Sequence, residues 1–113
     1  MNDFNNLFNE VSEMISRAGE KYAACKSARY MCEKEEKRTW SECYLNAKRQ
    51  SGTSVKDAEA LANRHTDYIK KTELTTKAIE NELNARKDYE IALAKQEAIR
   101  SLCSQETAKI KLQ

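Results

Sequence analysis

The chain turns once, at Gln50-Ser51-Gly52-Thr53-Ser54, and this stretch decides the fold. The remainder of the 113 residues contains no proline and one further glycine, Gly19. A β-protein of this length needs turn residues roughly every 8 to 12 positions. Gly52 suits the position just after a helix, and Ser54 with Asp57 resembles a capping box at the start of the next one. The stretch therefore predicts an all-α fold.

On the N-terminal side of the turn, we expect a long helix over residues 1–49. Its first half has apolar residues at i, i+3, i+4 and i+7, the spacing of an amphipathic helix. The almost wholly charged stretch 33–39 leaves two alternatives, one continuous helix or two stacked helices, and its good helix formers favour continuity. The apolar stripe of the first half contains Phe4, Leu7, Phe8, Val11, Met14 and Ile15.

On the C-terminal side, residues 50–54 form the turn and residues 55–64 a short helix. Thr66 is expected to act as a second cap, followed by a long helix over 66–104 and a frayed tail over 105–113. The stripe of the long helix is expected to contain Leu74, Ala78, Ala85, Tyr89, Ala92, Ile99 and Cys103.

Together these elements predict a single domain, built as a coiled-coil-like antiparallel hairpin of two long helices with a short helix after the turn. Many stripe positions hold alanine, which buries little apolar area. A second copy or a target protein is therefore needed to cover the stripes, and we expect a homodimer.

Charge is unevenly distributed along the chain, although the net charge is only +2. Residues 1–20 hold four acidic and one basic side chain, whereas residues 21–50 hold eight basic and four acidic ones. No stretch approaches 18 apolar residues, the minimum for a membrane-spanning helix, and the first residues lack the features of a signal peptide. We therefore expect no membrane association and a cytoplasmic location.

The residues most able to carry chemistry show no catalytic or metal-binding pattern. Cys25, Cys32, Cys43 and Cys103 lack the short spacings of a zinc site, so we expect them to be reduced thiols used as small apolar side chains. His65 is the only histidine, and no nucleophile stands beside it in the sequence. There is also no glycine-rich phosphate loop. We expect no enzyme, no metal and no cofactor.

Two segments are candidates for binding. The apolar stripe of the first helix fits either the core, a self-interface or a partner's groove. The segment 21–50 is the candidate for nucleic acid, because basic groups release counterions from phosphates and aromatic rings stack on bases. Its four glutamates count against a purely basic patch. The basic and aromatic candidates are Lys26, Arg29, Lys34, Lys37, Arg38, Trp40, Tyr44, Lys48 and Arg49.

The stretch Ser51-Gly52-Thr53-Ser54-Val55-Lys56-Asp57-Ala58-Glu59-Ala60-Leu61-Ala62, with the later pattern of Tyr89, Ala92, Ala94 and Ala98, resembles the short all-helical accessory proteins of tailed phages and prophages. The resemblance covers about residues 45–100. It implies a phage setting and two roles. One is a non-catalytic protein that occupies or recruits another protein, such as an inhibitor of a host CRISPR-type defence. The alternative is a nucleic-acid-binding accessory of phage recombination or replication.

Overall fold

A computed structural model describes residues 2–112, and all regular structure among them is helical. Helix α1 spans Asn2–Lys48, α2 spans Val55–Arg64 and α3 spans Thr66–Leu112. The predicted all-α class is confirmed. No described helix is both long enough and apolar enough to cross a membrane.

Helix α1 continues through the charged stretch 33–39, so of the two alternatives the structure has the single helix. Side-chain pairs one helical turn apart support this stretch. Arg29 lies 3.0 Å from Glu33, and Arg38 lies 2.7 Å from Glu35. Such pairs stabilise a helix modestly.

The turn after α1 uses its glycine as predicted. Gly52 adopts a φ of 81°, a left-handed conformation that residues with a β-carbon rarely adopt. The ammonium of Lys48 donates to the carbonyl of Thr53 at 3.2 Å. The hydroxyl of Ser54 accepts the amide N–H of Asp57 at 3.1 Å, so Ser54 is the N-cap of α2.

The junction between α2 and α3 differs from the prediction, because His65 is the cap and Thr66 is the first helical residue. The Nδ1 atom of His65 accepts the amide N–H of Asp67 at 3.1 Å, and its carbonyl accepts the amide of Ile69 at 3.0 Å. An imidazole nitrogen thus takes the place of the usual capping oxygen. The single histidine has a structural role at this joint.

The predicted tail over 105–113 is wrong as far as the structure describes it, because α3 runs to Leu112. The described residues of this segment are all exposed. Helix propagation, however, needs only good helix formers without proline or glycine. Lys109 lies 3.7 Å from Glu106, and the Thr107 hydroxyl donates to the carbonyl of Cys103. Gln113 lies outside the described residues.

The residues group into two compact units. The terminal unit comprises residues 2–24 and 83–112, and the central unit comprises residues 25–82. Each unit takes a segment from α1 and a segment from α3, and α2 belongs to the central unit.

In the terminal unit, buried and half-buried side chains recur at alternating intervals of four and three residues. Gly19 belongs to this unit, and a β-carbon there would lie 3.2 Å from Cε2 of Tyr89. The glycine therefore lets the tyrosine ring approach the backbone of α1. The Tyr22 and Tyr89 rings meet at 6.1 Å between centroids. The repeat on α1 is Phe4, Phe8, Val11, Ile15, Ala18 and Tyr22, and on α3 it is Ala85, Tyr89, Ala92, Gln96, Ile99 and Cys103.

The core of the central unit is built from small side chains. Ala58 and Ala62 are completely buried, and among the described residues no large side chain is. Leu74 is 55% exposed, so its predicted place in the stripe is wrong, and Thr75 is buried instead. The buried residues here are Thr39, Cys43, Ala47, Ala58, Ala62, Thr75 and Ala78.

The tight core around α2 predicts that added volume there is not tolerated. We expect Ala62→Leu to lower the free energy of unfolding by about 1–3 kcal/mol, because a close-packed site must distort to accept three extra carbons. The exposed neighbour Ala60→Leu should change it by less than about 0.5 kcal/mol. Urea unfolding followed by circular dichroism measures both. Equal stabilities of the two variants would contradict the close packing of α2.

Candidate binding surface

Several of the predicted aromatic and basic residues share one face of α1 in the central unit. At 3.6 residues per turn, the intervals from Tyr30 to Lys37, Trp40 and Tyr44 keep these four side chains on one side of the helix. Lys34 lies beside them, with its ammonium 5.2 Å from the centre of the Tyr30 ring. We call these five residues the aromatic–basic surface.

Trp40 is the most constrained side chain of this surface. Its indole stacks on Tyr44, with ring centroids 5.4 Å apart and planes inclined by 10°. Its Nε1–H donates to the side-chain oxygen of Asn63 in α2 at 2.8 Å. The stacking and the hydrogen bond together fix the orientation of the indole while the ring stays only half-buried. A pre-oriented, accessible tryptophan loses little conformational entropy when a partner covers it.

An open groove of about 440 Å³ adjoins Trp40. Lys37 and Glu36 place opposite charges on its lining, and Tyr68 supplies a second aromatic ring from α3. A site of this composition can accept an apolar or aromatic side chain while pairing with charges of either sign at its edge. The lining residues are Glu36, Lys37, Trp40, Ser41 and Tyr68.

Arg29 does not belong to an open surface, because it is bound by two carboxylates. Its Nε donates to Glu82 of α3 and its Nη1 to Glu33 at 3.0 Å. The hydrogen bond with Glu82, and then that with Glu33, raises the pKa of Arg29 above its ordinary value. Glu82 is itself largely buried, with its side chain 14% exposed. This guanidinium therefore serves the contact between α1 and α3 in the central unit.

Three further predicted basic residues are also engaged within the chain. The hydrogen bond with Glu35 raises the pKa of Arg38, and this arginine lies on the other side of α1 from Trp40. Lys48 donates to the carbonyl of Thr53, and Arg49 donates to the side-chain oxygen of Asn46 at 3.2 Å. Of the other predicted basic residues, Lys34 lies beside Tyr30, and Lys26 and Lys37 lie on the side of Trp40 and Tyr44.

The predicted apolar stripe is divided in a similar way. Val11 is buried, and the neighbouring stripe residues Phe4, Phe8 and Ile15 are half-buried in the terminal unit. The guanidinium of Arg100 lies 6.0 Å from the centre of the Phe8 ring. Leu7 and Met14 differ from these four, because they lie at the edge of the seam, by which we mean the contact of α1 with α3 in the terminal unit. Leu7 is 44% exposed.

Beside Met14 lies a second open groove, of about 410 Å³, which sequence reasoning missed. Its floor consists of alanines from α1 and α3, whose small side chains leave a depression between the helices, and we call it the alanine groove. The signal available in the sequence was the i, i+3, i+4, i+7 set formed by Met14, Arg17, Ala18 and Lys21. Its lining residues are Met14, Arg17, Ala18, Lys21, Ala85, Asp88, Ile91 and Ala92.

The four cysteines are free thiols, and Cys43 is the buried one. Burial, then the nearby charges of Asp67 and Glu42, raises the pKa of the Cys43 thiol above its ordinary value. Within residues 2–112, no three His, Cys, Asp or Glu side chains lie close enough together to hold a metal ion.

Comparisons of the chain with protein-family models, with curated proteins and with solved structures find no match.

The raised pKa of Cys43 predicts an order of thiol reactivity. The thiolate is the nucleophile, so a thiol with a raised pKa and little exposure reacts slowly. With iodoacetamide at pH 8, the native protein should be alkylated at Cys43 more slowly than at Cys25, Cys32 or Cys103. Raising the pH should increase the rate of alkylation at Cys43, because more thiolate forms as the pH approaches the raised pKa.

Peptide mapping by mass spectrometry over a time course measures the four rates. The control is the same reaction in concentrated urea, where the four rates should converge. Native alkylation of Cys43 as fast as that of Cys25 would show that its burial is wrong.

Proposed function

We propose that the chain is a non-catalytic binding protein that acts by occupying or recruiting another protein through its aromatic–basic surface. The observation that carries this proposal is Trp40, which is oriented by Tyr44 and Asn63, lines an open groove and stands beside Lys37. Tryptophan and tyrosine are enriched among the residues that dominate binding energy at protein interfaces. A rigid aromatic anchor with mixed charge at its edge is the arrangement such interfaces use.

The charges around the aromatic–basic surface favour a protein partner over the phosphate backbone of a nucleic acid. Arg29 and Arg38 are neutralised by carboxylates of the same chain, and Glu36 lines the groove itself. A nucleic-acid site needs several cations free to replace counterions along the backbone. A protein partner needs instead a few charges of either sign around an apolar anchor.

As the scaffold for this surface, we propose a coiled-coil-like antiparallel hairpin that pairs with a second copy as a homodimer. Burial at alternating intervals of three and four residues favours a coiled-coil seam. In the terminal unit, Phe8 meets Arg100 and Tyr22 meets Tyr89, and this reversed order of contacts supports antiparallel helices. The exposed large apolar side chains support a second copy.

We further propose a phage setting, in the cytoplasm of a bacterial host, with inhibition of a CRISPR-type host defence as the biological role. The support is the resemblance of residues 45–100 to phage accessory proteins. An inhibitor that works by covering a surface needs no active site, only a rigid anchor and complementary charge.

The second candidate is a nucleic-acid-binding accessory of phage recombination or replication. One observation favours it. The parallel rings of Trp40 and Tyr44 stand beside Lys37, and bases of a single strand stack on such rings while a lysine contacts the phosphates.

A charge reversal at the surface tests the lead proposal without disturbing the core. Lys37 is exposed, so Lys37→Glu should keep the helicity and thermal midpoint of the native chain. With the tagged protein as bait in a bacterial lysate, we expect Lys37→Glu to capture about tenfold less of the specific target, as for loss of a charge at an interface edge.

The matched control is Lys56→Glu, which reverses an exposed lysine on α2 and should leave capture unchanged. The captured protein is then purified, and its affinity for each variant is measured by titration calorimetry. Equal affinity for Lys37→Glu, Lys56→Glu and the native chain would place the binding site elsewhere.

The nucleic-acid alternative predicts a salt dependence. If a single-stranded oligonucleotide binds here, its fluorescence anisotropy should report weak binding at low salt. Lys37→Glu should then reduce the slope of log affinity against log salt by about one. Contacts with phosphates are strongest at low salt, on the order of 20 mM. If the oligonucleotide does not bind even there, this alternative is excluded.

A further inference from the structure

The terminal unit carries a second stripe on α1, beside the seam that faces α3. It also repeats at alternating intervals of three and four residues, the spacing of positions that meet another helix in a coiled coil. Its members are exposed or half-buried. The stripe comprises Asp3, Leu7, Glu10, Met14, Arg17, Lys21 and Ala24.

The charges on this stripe are ordered along the helix. The acidic residues Asp3 and Glu10 lie in its first half, and the basic residues Arg17 and Lys21 lie in its second half. A copy of the same stripe laid alongside in the same direction would face acid with acid and base with base. A copy in the reverse direction brings the acidic half of the stripe against the basic half, so the stripe is complementary to itself when antiparallel.

The alanine groove gives this stripe a shape to match. Met14, Arg17, Ala18 and Lys21 surround a depression in the manner of the four residues that form a hole for one incoming side chain in a coiled coil. Asp88 also lines the groove, where the two cations of α1 outnumber it. Large apolar side chains are exposed nearby on both helices of the unit: Leu7 is 44%, Ile91 53% and Leu102 50% exposed.

We propose that a second copy of this chain packs antiparallel on the stripe, with a two-fold axis passing between Ile15 and Ser16. This register places Glu10 opposite Lys21 of the second copy and Leu7 opposite its Ala24. Met14 then lies opposite Arg17 of the second copy and enters its alanine groove. Because the two-fold axis makes each contact occur twice, the interface contains two identical copies of each contact.

Neither Glu10 nor Lys21 forms an ion pair with another residue of the range 2–112, so both charges are available to the second copy. Exposed apolar groups flank them, and a partner helix that covers these groups also partly desolvates the two ion pairs. Pairs in that setting are stronger than fully exposed ones. The interface rests on the homodimer proposed above and adds its location, direction and register.

A reciprocal charge swap tests the register on the full chain. Sedimentation equilibrium between about 1 and 100 µM gives the dimer dissociation constant, since dimerisation follows mass action. We expect Glu10→Lys and Lys21→Glu each to raise this constant by about tenfold or more, because each reversal opposes like charges at two symmetric positions. The double variant Glu10→Lys with Lys21→Glu restores both pairs, so its constant should return to within about threefold of the native value.

The matched controls are Glu20→Lys and Lys87→Glu, which reverse exposed charges off the stripe and should leave the constant unchanged. Circular dichroism confirms that every variant keeps its helicity. A native chain that stays monomeric up to 100 µM overturns both the homodimer and this interface. A dimer that is insensitive to the single reversals, or that the double variant fails to restore, overturns the interface alone.

Discussion

The packing of the central unit depends on one constraint, the small size of the side chains that meet in its core. Ala58 and Ala62 are fully buried, yet no large side chain among the described residues is. A narrow seam of alanine, threonine and cysteine removes little apolar area from water, at roughly 25 cal/mol per Å². The large apolar groups consequently remain at its flanks, where Met31 and Leu74 are each 55% exposed. A chain folded in this way still carries apolar surface that another molecule can cover, and this surface supports the proposed binding role.

Arg29 shows how the same seam accommodates a charge. Its guanidinium meets Glu82 of α3 and Glu33 of α1, and the carboxylate of Glu82 is largely buried. A partly buried pair of this kind contributes little net stability, because desolvation offsets much of the attraction. A shifted pairing of α1 with α3 in the central unit would leave the Glu82 carboxylate largely buried without its partner. Polar residues in helical seams fix register in this manner.

The sequence was sufficient for the helical class and the turn, because Gly52, Ser54 and the absence of proline act locally. It was not sufficient for the helix cap, where the His65 ring does what a threonine was expected to do. The stripe of α3 was misplaced by one position at Leu74, because hydrophobicity alone does not reveal that the seam takes the neighbouring Thr75. Small side chains fit such positions when two helices pack closely.

The candidate site was harder to predict than the fold, for a physical reason. Composition identified the basic residues of 21–50, but whether a cation is open or paired depends on partners that are distant in sequence, such as Glu82 for Arg29. The aromatic members were easier, since Trp40 and Tyr44 stand four residues apart on one helix and meet through local geometry.

The two proposed surfaces share no residue, and this has a consequence for binding. The stripe with its alanine groove belongs to the terminal unit, whereas the aromatic–basic surface belongs to the central unit. Self-association therefore consumes none of the residues that would contact a target, and a dimer carries the aromatic–basic surface twice. Against a target with two matching sites, the second contact becomes intramolecular and the apparent affinity rises without any new side-chain contact. A weak single groove, with one oriented tryptophan and few free charges, is then enough for a binding protein.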